Sequence, residues 1–236
     1  MNVIVKNIPN AITCLNILSG SLAVVFALHG EGSMAGISFY HWAYIFIGIA
    51  AVADFLDGFA ARMLHAYSNL GKELDSLCDA VSFGVAPAML LFSTMEIYGA
   101  QSWLCWPALL IPVFGVLRLA RFNIDTRQSV SFIGLPIPAN AIFWIGYTAL
   151  AAEGTEFLTQ WYVLLPVLIA ECYSMVSGLR LFSLKFKTWG WKGNEFRWLL
   201  IVTAVALVAF MGLPGLMWLI VAYILYGLFA RDRAKI

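Results

Sequence analysis

The stretch DFLDGFAARMLHAYSNLGKELDSLCDA, residues 54–80, carries four aspartates between two long apolar segments: Asp54, Asp57, Asp75 and Asp79. An aspartate at the centre of a membrane helix costs about 2.5–3.5 kcal/mol on insertion scales. The chain of 236 residues is 62% hydrophobic and only 11% charged, with a mean hydropathy of +0.86. Roughly a quarter of a soluble domain is charged, so this composition indicates an integral membrane protein. Acids inside such a chain indicate a function.

Charge-free segments place the predicted membrane spans, since a span needs about 20 apolar residues. The run 198–230 would be about 50 Å long as one helix, against a hydrocarbon core of about 30 Å. The sequence MGLPG at 211–215 supplies a break in this run, so we predict a hairpin there. We therefore predict an all-α integral membrane protein with eight transmembrane helices in a single membrane domain, 1–236. The spans are 11–29, 32–53, 72–95, 101–117, 137–152, 157–178 and the two halves of 198–230.

The distribution of charge predicts the orientation of these spans. With the N-terminus in the cytoplasm, all 14 Lys and Arg residues fall on the cytoplasmic side. The opposite loops hold only acids, which are Glu31, Glu96, Glu153 and Glu156. By the positive-inside rule, both termini and the aspartates are predicted at the cytoplasmic face of the inner membrane. We expect membrane lipids as surroundings and no nucleic-acid partner.

The spacing of the four aspartates predicts a metal site. Asp54 and Asp57 are three residues apart, and Asp75 and Asp79 are four apart, so each pair shares one helix face. Turn-forming residues between the pairs predict a hairpin that brings the two faces together. Four carboxylates in one pocket would repel one another, and oxygen ligands favour Mg²⁺, Mn²⁺ or Ca²⁺ over zinc. Two bridged metals would form a clamp for phosphoryl transfer. The alternative is that these acids cap helices and pair with nearby cations.

The fixed positions of the stretch resemble the signature of the CDP-alcohol phosphatidyltransferase family, which here reads Asp54-x-x-Asp57-Gly58-x-x-Ala61-Arg62, eight residues, then Gly71-x-x-x-Asp75-x-x-x-Asp79. All eight fixed positions match. The resemblance implies a six-helix catalytic core within residues 1–187, with the C-terminal hairpin at 195–231 as an addition. It also implies a homodimer and a requirement for two divalent cations, Mg²⁺ or Mn²⁺.

The resemblance also implies a role for each matching residue. Asp54, Asp57 and Asp75 would bind the metals. Asp79 would act as the general base, with a further contact to a metal. The chain would be an enzyme that transfers the phosphatidyl group of CDP-diacylglycerol to an alcohol and releases CMP. The residues expected at the CDP-lipid are Asn10, Thr13, Gly58, Ala61, Arg62, Ser68 and Gly71. For Asn10 and Thr13, ordinary helix capping is an equal alternative.

Segments outside the signature favour L-serine as the acceptor alcohol. Residues 74–88, 118–123, 134–140 and 177–185 resemble the phosphatidylserine synthase branch of the family. Serine presents a carboxylate and an ammonium group, and arginine pairs bidentately with carboxylates. The residues expected to bind the acceptor or another anion are Arg118, Arg121, Ser177, Arg180 and Lys185. Their alternative interpretation is topological, because cations collect at cytoplasmic helix ends.

Two other functions remain open at this point. A family member could use glycerol 3-phosphate or inositol phosphate, which would need a denser basic patch than serine. A divalent-cation transporter would also place acids within membrane helices, but near the midplane and within internal repeats. No repeat is visible here. Glu171, an acid within the sixth predicted span, has no assigned role.

Overall fold

We describe the fold from a computed structural model, which describes residues 3–124, 132–182, 190–191 and 193–233. Within these residues the chain is mostly helical. Helical elements that follow one another directly join into continuous segments, which we call rods, and there are eight of these. The third rod consists of α3, a π-helical turn and α4, and the fourth begins with a 3₁₀ segment. The helices are α1 Val3–His29, α2 Phe39–Met63, α3 Asn69–Asp79, π turn Ala80–Val85, α4 Ala86–Tyr98, 3₁₀ Ser102–Leu109, α5 Leu110–Ile124, α6 Ile137–Ala152, 3₁₀ Glu156–Thr159, α7 Trp161–Val176, α8 Glu195–Met211 and α9 Gly215–Arg233.

The rods confirm the predicted number of helices and correct several of their ends. Residues 32–38 were predicted as the start of the second span but do not form a helix. They contain an antiparallel pair of short strands, β1 Ser33–Met34 and β2 Ile37–Ser38. The Ser38 side chain accepts a hydrogen bond from the His41 backbone N–H at 3.2 Å and begins α2 there.

The charge-free run 32–53, which set the predicted second span, ends before the helix does. Helix α2 continues to Met63, so Asp54 and Asp57 lie on this helix within its last ten residues, as their spacing predicted. The fourth rod likewise continues past the predicted residue 117 to Ile124 and includes Arg118 and Arg121. In both cases the helix extends beyond the charge-free run, because charged side chains near a helix end do not stop backbone hydrogen bonding.

The predicted break in the C-terminal run is confirmed. Helix α8 ends at Met211, and Gly212 has a φ of 64°, a left-handed conformation that favours glycine. Helix α9 begins at Gly215 and packs against α8 and α6. Residues 195–233 therefore form a helical hairpin.

Among the described residues, four helical segments are long and apolar enough to cross a membrane, judged by length and composition. Many of their apolar side chains face outward, as expected for contact with lipid; Phe55, for example, is 66% exposed. These features indicate a membrane protein. The segments are Asn7–His29, Phe39–Met63, Asn69–Tyr98 and Ser102–Ile124, and shorter apolar helices are Ile137–Ala152, Trp161–Val176 and Gly215–Phe229.

Two buried clusters hold the rods together. In the first, Trp144 and Tyr147 of α6 are fully buried among residues of α4, α7 and α9. In the second, small residues such as Ala27 and Ala43 let α1 and α2 pack closely along their length. A short strand pair, β3 Phe132–Ile133 with β4 Arg180–Leu181, joins the segment before α6 to the segment after α7. These contacts fix α1, α2, α3 and α5 around the predicted site.

Candidate active site

The turn between α2 and α3 brings three of the four predicted aspartates together. The Ala66 backbone N–H donates to the Ala61 carbonyl at 3.0 Å, and His65 has a positive φ of 50°, so the chain reverses direction within a few residues. The Ser68 Oγ accepts from the Gly71 backbone N–H at 2.9 Å and caps α3. Hydrogen bonds at the end of α2 and at the start of α3 therefore fix the turn, and with it the way in which the two helices face each other.

Three of the four aspartates converge. One carboxylate oxygen from each of Asp54, Asp57 and Asp75 lies within 4.8 Å of the others. Asp79, one turn after Asp75 on α3, is not in this group but is buried, with 8% of its surface exposed. The general-base and metal roles of Asp79 therefore stay predictions.

The converging carboxylates suit a divalent cation. Asp57 Oδ2 and Asp75 Oδ1 are buried and have no hydrogen-bond partner. A buried carboxylate oxygen without a partner is costly unless a cation or donor compensates it. Carboxylate oxygens are the ligands that Mg²⁺ and Mn²⁺ prefer. The donor set therefore fits such ions, and Asp54, Asp57 and Asp75 are the residues that could hold them.

A cavity of about 290 Å³ lies at the opposite ends of the helices, around Tyr40 and Glu31, away from the aspartates. The cavity that concerns the site is a second one, of about 220 Å³, which opens directly beside Asp57 and Asp75. Six of the seven residues predicted to contact the CDP-lipid line this second cavity. Its lining residues are Pro9, Asn10, Thr13, Asp57, Gly58, Ala61, Ala66, Tyr67, Ser68, Gly71, Lys72 and Asp75.

The seventh predicted residue, Arg62, is exposed beside this cavity. Its Nη1 lies 3.8 Å from the point that a Cβ on Gly58 would occupy, and no other atom lies within 4 Å of that point. Gly58 thus leaves open space at the cavity wall. Gly71 differs, because a Cβ there would lie 3.0 Å from Ser68 Oγ and 3.1 Å from Asn10 Oδ1. The two signature glycines therefore serve different purposes: open space at Gly58 and close packing at Gly71.

Arg118 is a predicted acceptor residue whose charge acts on one of the four aspartates. It is on α5, only 7% exposed, and its positive charge acts on the Asp79 carboxylate. Its guanidinium carbon lies 5.0 Å from the centre of the Phe122 ring, and its Nε has no hydrogen-bond partner. Arg118 therefore has a free donor in a buried position near Asp79.

Arg121 lies on the last turn of α5, and Ser177 directly follows α7. Arg121 Nη1 donates to the Val176 carbonyl at 2.7 Å, and Ser177 Oγ donates to the Ser174 carbonyl at 2.9 Å. Both side chains thus stabilise the end of α7, and their role toward an acceptor stays a prediction. For Arg180 the structure describes only the backbone, which pairs with Ile133, and Lys185 lies outside the described residues.

The sequence reasoning missed Asn16. This residue on α1 is fully buried, and its Nδ2 donates to Asp79 Oδ1 at 3.3 Å. A signal was available, because Asn10, Thr13 and Asn16 recur every three residues and so follow one face of the first helix. It also missed Tyr67 and Lys72 as lining residues of the 220 Å³ cavity.

Fold and site together define a class: a helical membrane protein with converging carboxylates, suited to divalent cations, beside a cavity at one end of its helices. Comparison with known sequences identifies the family. A model of the CDP-alcohol phosphatidyltransferase family matches residues 6–172, and the chain belongs to this family.

Three curated relatives share one printed name, CDP-diacylglycerol–serine O-phosphatidyltransferase. The protein of that name from Mycobacterium leprae is 39% identical over 168 residues, which are 65% of this chain and 53% of the relative. The Bacillus subtilis protein is 42% identical over 135 residues, 56% of this chain and 69% of the relative. The Helicobacter pylori protein (strain 26695) is 31% identical over 229 residues, 93% of this chain and 89% of the relative. The chain spans just over half the length of the mycobacterial relative.

Proposed function

We propose that this chain is an enzyme that transfers the phosphatidyl group of CDP-diacylglycerol to the hydroxyl of L-serine, giving phosphatidylserine and CMP. The observation that carries the proposal is the convergence of Asp54, Asp57 and Asp75 within 4.8 Å, beside a cavity lined by the residues that the family signature places at the nucleotide. The printed name of the curated relatives supports serine as the acceptor.

The three converging aspartates would hold two divalent cations, Mg²⁺ or Mn²⁺, with Asp79 as a further ligand. Such cations, when bound, neutralise the diphosphate of the substrate and the charge that develops at phosphorus. The residues that line the cavity would bind the nucleotide. Gly58 leaves room for it against α2, while Asn10, Thr13 and Ser68 offer polar side chains. Phosphoryl transfer depends mainly on such positioning and on charge neutralisation.

Asp79 would act as the general base. Its carboxylate takes the proton of the serine hydroxyl as the hydroxyl oxygen forms a bond to the phosphorus that bears the lipid. The bond from that phosphorus to the bridging oxygen breaks, and CMP leaves with the electron pair. Burial of Asp79 excludes water that would compete with serine.

Cations at the same end of the fold would attract the acceptor. Arg118 and Arg121 lie on the last two turns of α5, and Lys72 on α3 lines the cavity. We propose that Arg118 binds the serine carboxylate, and that Arg121, Ser177, Arg180 and Lys185 form a wider anion-attracting surface. This basic end also supports placing the site and both termini in the cytoplasm, with eight helices crossing the inner membrane.

The proposed organisation follows the family. Residues 1–187 would form the catalytic core, with 195–231 as an added hairpin, and the active form would be a homodimer. Small residues along α2 permit close packing between copies. Chemical crosslinking in native membranes, followed by mass determination, tests the dimer; a monomer at all protein concentrations would contradict it.

The most direct test of the reaction is purified protein with CDP-diacylglycerol, radiolabelled L-serine and Mn²⁺. We expect a labelled lipid together with one equivalent of CMP. Parallel reactions contain glycerol 3-phosphate, inositol phosphate or no alcohol. Turnover with one of these alcohols but not with serine would contradict the proposed acceptor while leaving the family chemistry intact. Release of CMP without any alcohol would indicate hydrolysis.

Gly58→Ala is expected to stabilise the protein and weaken its binding of CDP-diacylglycerol. Alanine is favoured over glycine inside a helix by about 0.8–1 kcal/mol, and no protein atom lies near the added methyl group except Arg62 Nη1. The methyl group would instead occupy the cavity, so we expect the KM for CDP-diacylglycerol to rise roughly tenfold, as for a lost contact of 1.4 kcal/mol. Thermal unfolding in detergent and initial rates check the two effects.

Gly48→Ala is the matched control for this variant. Gly48 lies on the same helix, and a Cβ there would have no atom within 4 Å. The control should gain similar stability and keep the KM of the unaltered protein. An unchanged KM in Gly58→Ala as well would mean that the nucleotide does not approach α2 at this point.

A further inference from the structure

Asn16 has an atom that the fold leaves without a partner. Its side-chain amide is fully buried, and its Nδ2 donates to Asp79 Oδ1 at 3.3 Å. The proposed general-base role requires an ionised Asp79, which can only accept hydrogen bonds, and the amide accordingly turns its Nδ2 toward that carboxylate. The carbonyl oxygen, Oδ1, is therefore fixed in the other direction, where it is buried and has no hydrogen-bond partner.

Contacts between α1 and the π turn fix the position of Asn16. The Ser82 Oγ donates to the Asn16 carbonyl at 3.0 Å, from within the π turn that follows Asp79. A Cβ on Gly20, one turn further along α1, would collide with Ser82. The wide π turn therefore lies directly against α1, and π turns of this kind are frequent at functional sites. These contacts hold Asn16 and Asp79 in one arrangement.

Two neighbours of Asp79 thus each have one buried atom without a hydrogen-bond partner. One of these atoms is an acceptor and the other is a donor. Asn16 presents the acceptor Oδ1, and Arg118 presents the donor Nε. A buried polar atom without a partner is costly, and such atoms are retained where a ligand completes them. A ligand that satisfies both atoms and reacts at Asp79 therefore needs a donor for Asn16, an anionic group for Arg118 and a hydroxyl for Asp79.

We propose that Asn16 Oδ1 accepts a hydrogen bond from the ammonium group of the acceptor, so that Asn16 and Arg118 together select a zwitterionic amino alcohol. In serine the ammonium and the carboxylate are bonded to the same carbon, and the hydroxyl is bonded to the adjacent carbon. Asp79 and its two neighbours, Asn16 and Arg118, together offer one contact for each of these three groups. The assignment rests on the proposed function and deepens it, because it names the residue that distinguishes serine from alcohols without an ammonium group.

Two analogues of serine separate the two contacts. Ethanolamine keeps the hydroxyl and the ammonium but lacks the carboxylate, and 3-hydroxypropionate keeps the hydroxyl and the carboxylate but lacks the ammonium. Each is measured as a competitor of serine turnover. The unaltered protein should bind both analogues more weakly than serine. If the unaltered protein does not turn over serine at all, the proposed function has failed, before any variant is made.

The variant Asn16→Leu keeps the approximate size of the side chain and removes its polar atoms. A hydrogen bond to a charged group is worth roughly tenfold or more in binding. We expect the KM for serine and the inhibition constant of ethanolamine to rise by that factor. The inhibition constant of 3-hydroxypropionate should change less than about twofold. Arg118→Gln should give the reverse pattern, weakening serine and 3-hydroxypropionate but not ethanolamine.

Control variants distinguish this pattern from a general loss of structure. Thr94→Val removes a buried hydroxyl of α4 that donates to the Leu90 carbonyl and lies near Tyr40, away from the aspartates, and should change none of the three constants. Asn16→Ser, with its shorter side chain, repeats the test if the leucine variant unfolds. Equal weakening of serine and both analogues in the Asn16 variants would mean that Asn16 only positions Asp79. Unchanged constants would mean that Asn16 does not meet the acceptor. Either result overturns the proposal.

Discussion

Asp79→Asn is expected to lower kcat by about 10²–10⁴-fold, the usual contribution of a general base, while CDP-diacylglycerol binds with an affinity within about twofold of the unaltered protein. The amide keeps the size of the carboxyl group, and its oxygen can still accept the hydrogen bond from Asn16. It cannot take a proton from the serine hydroxyl. The expected defect is therefore in the chemical step and not in the binding of the lipid substrate.

Single-turnover kinetics with enzyme in excess over CDP-diacylglycerol measure the chemical step, and equilibrium binding of the lipid in detergent measures the affinity. Thr94→Val again serves as the control for a buried polar group outside the site. Near-normal turnover in Asp79→Asn would mean that another group takes the proton. Equal losses of binding and rate would mean that Asp79 mainly holds a metal.

Asp75→Asn is expected to lower turnover by at least about 100-fold, because metal contributions to phosphoryl transfer amount to several kcal/mol and each 1.36 kcal/mol is tenfold in rate. One oxygen of Asp75 is buried without a partner beside Asp54 and Asp57, so its loss removes a ligand from the centre of the group. We also expect half-maximal activity to require more Mn²⁺. Rates measured over a series of Mn²⁺ concentrations check both effects.

The same substitution should have the opposite effect on stability when no metal is bound. Three crowded carboxylates repel one another, and removing one charge relieves the repulsion. In excess chelator, Asp75→Asn should therefore unfold at a higher temperature than the unaltered protein. This pairing of lower activity with higher stability is typical of functional sites.

Glu73→Gln is the matched control, since it removes one negative charge from an exposed position on the same helix. It should change neither the Mn²⁺ requirement nor the unfolding temperature in chelator. If Glu73→Gln lowered activity as much as Asp75→Asn, general electrostatic attraction of metal would explain the result, and a specific ligand role for Asp75 would be wrong.

The site could be predicted from the sequence where it depends on local spacing. Asp54 with Asp57, and Asp75 with Asp79, share helix faces by their separation alone, and the turn between the helices is short. The resemblance to the family then placed Asn10 and Thr13 of α1 at the same cavity. These residues line it together with Gly58 and Gly71.

The contacts of Asn16 could not be predicted in the same way. The hydrogen bond to Asp79 joins residues 63 positions apart, and it depends on how α1 packs against a π turn. Charge-free runs likewise set the predicted helix ends, so the start of α2 was placed before Ser38, where a cap in fact begins it. Hydropathy reports which residues enter lipid, whereas helix ends depend on caps and backbone conformation.

The metal requirement of nucleotide binding tests the central claim most directly. Purified protein is equilibrated with CDP-diacylglycerol in excess chelator, and binding and serine transfer are measured before and after Mg²⁺ or Mn²⁺ is restored. We predict that the chelator abolishes both, and that either ion restores both in the unaltered protein but not in Asp75→Asn. Undiminished binding and transfer in excess chelator would contradict the assignment of Asp54, Asp57 and Asp75 as metal ligands that hold the nucleotide-activated lipid.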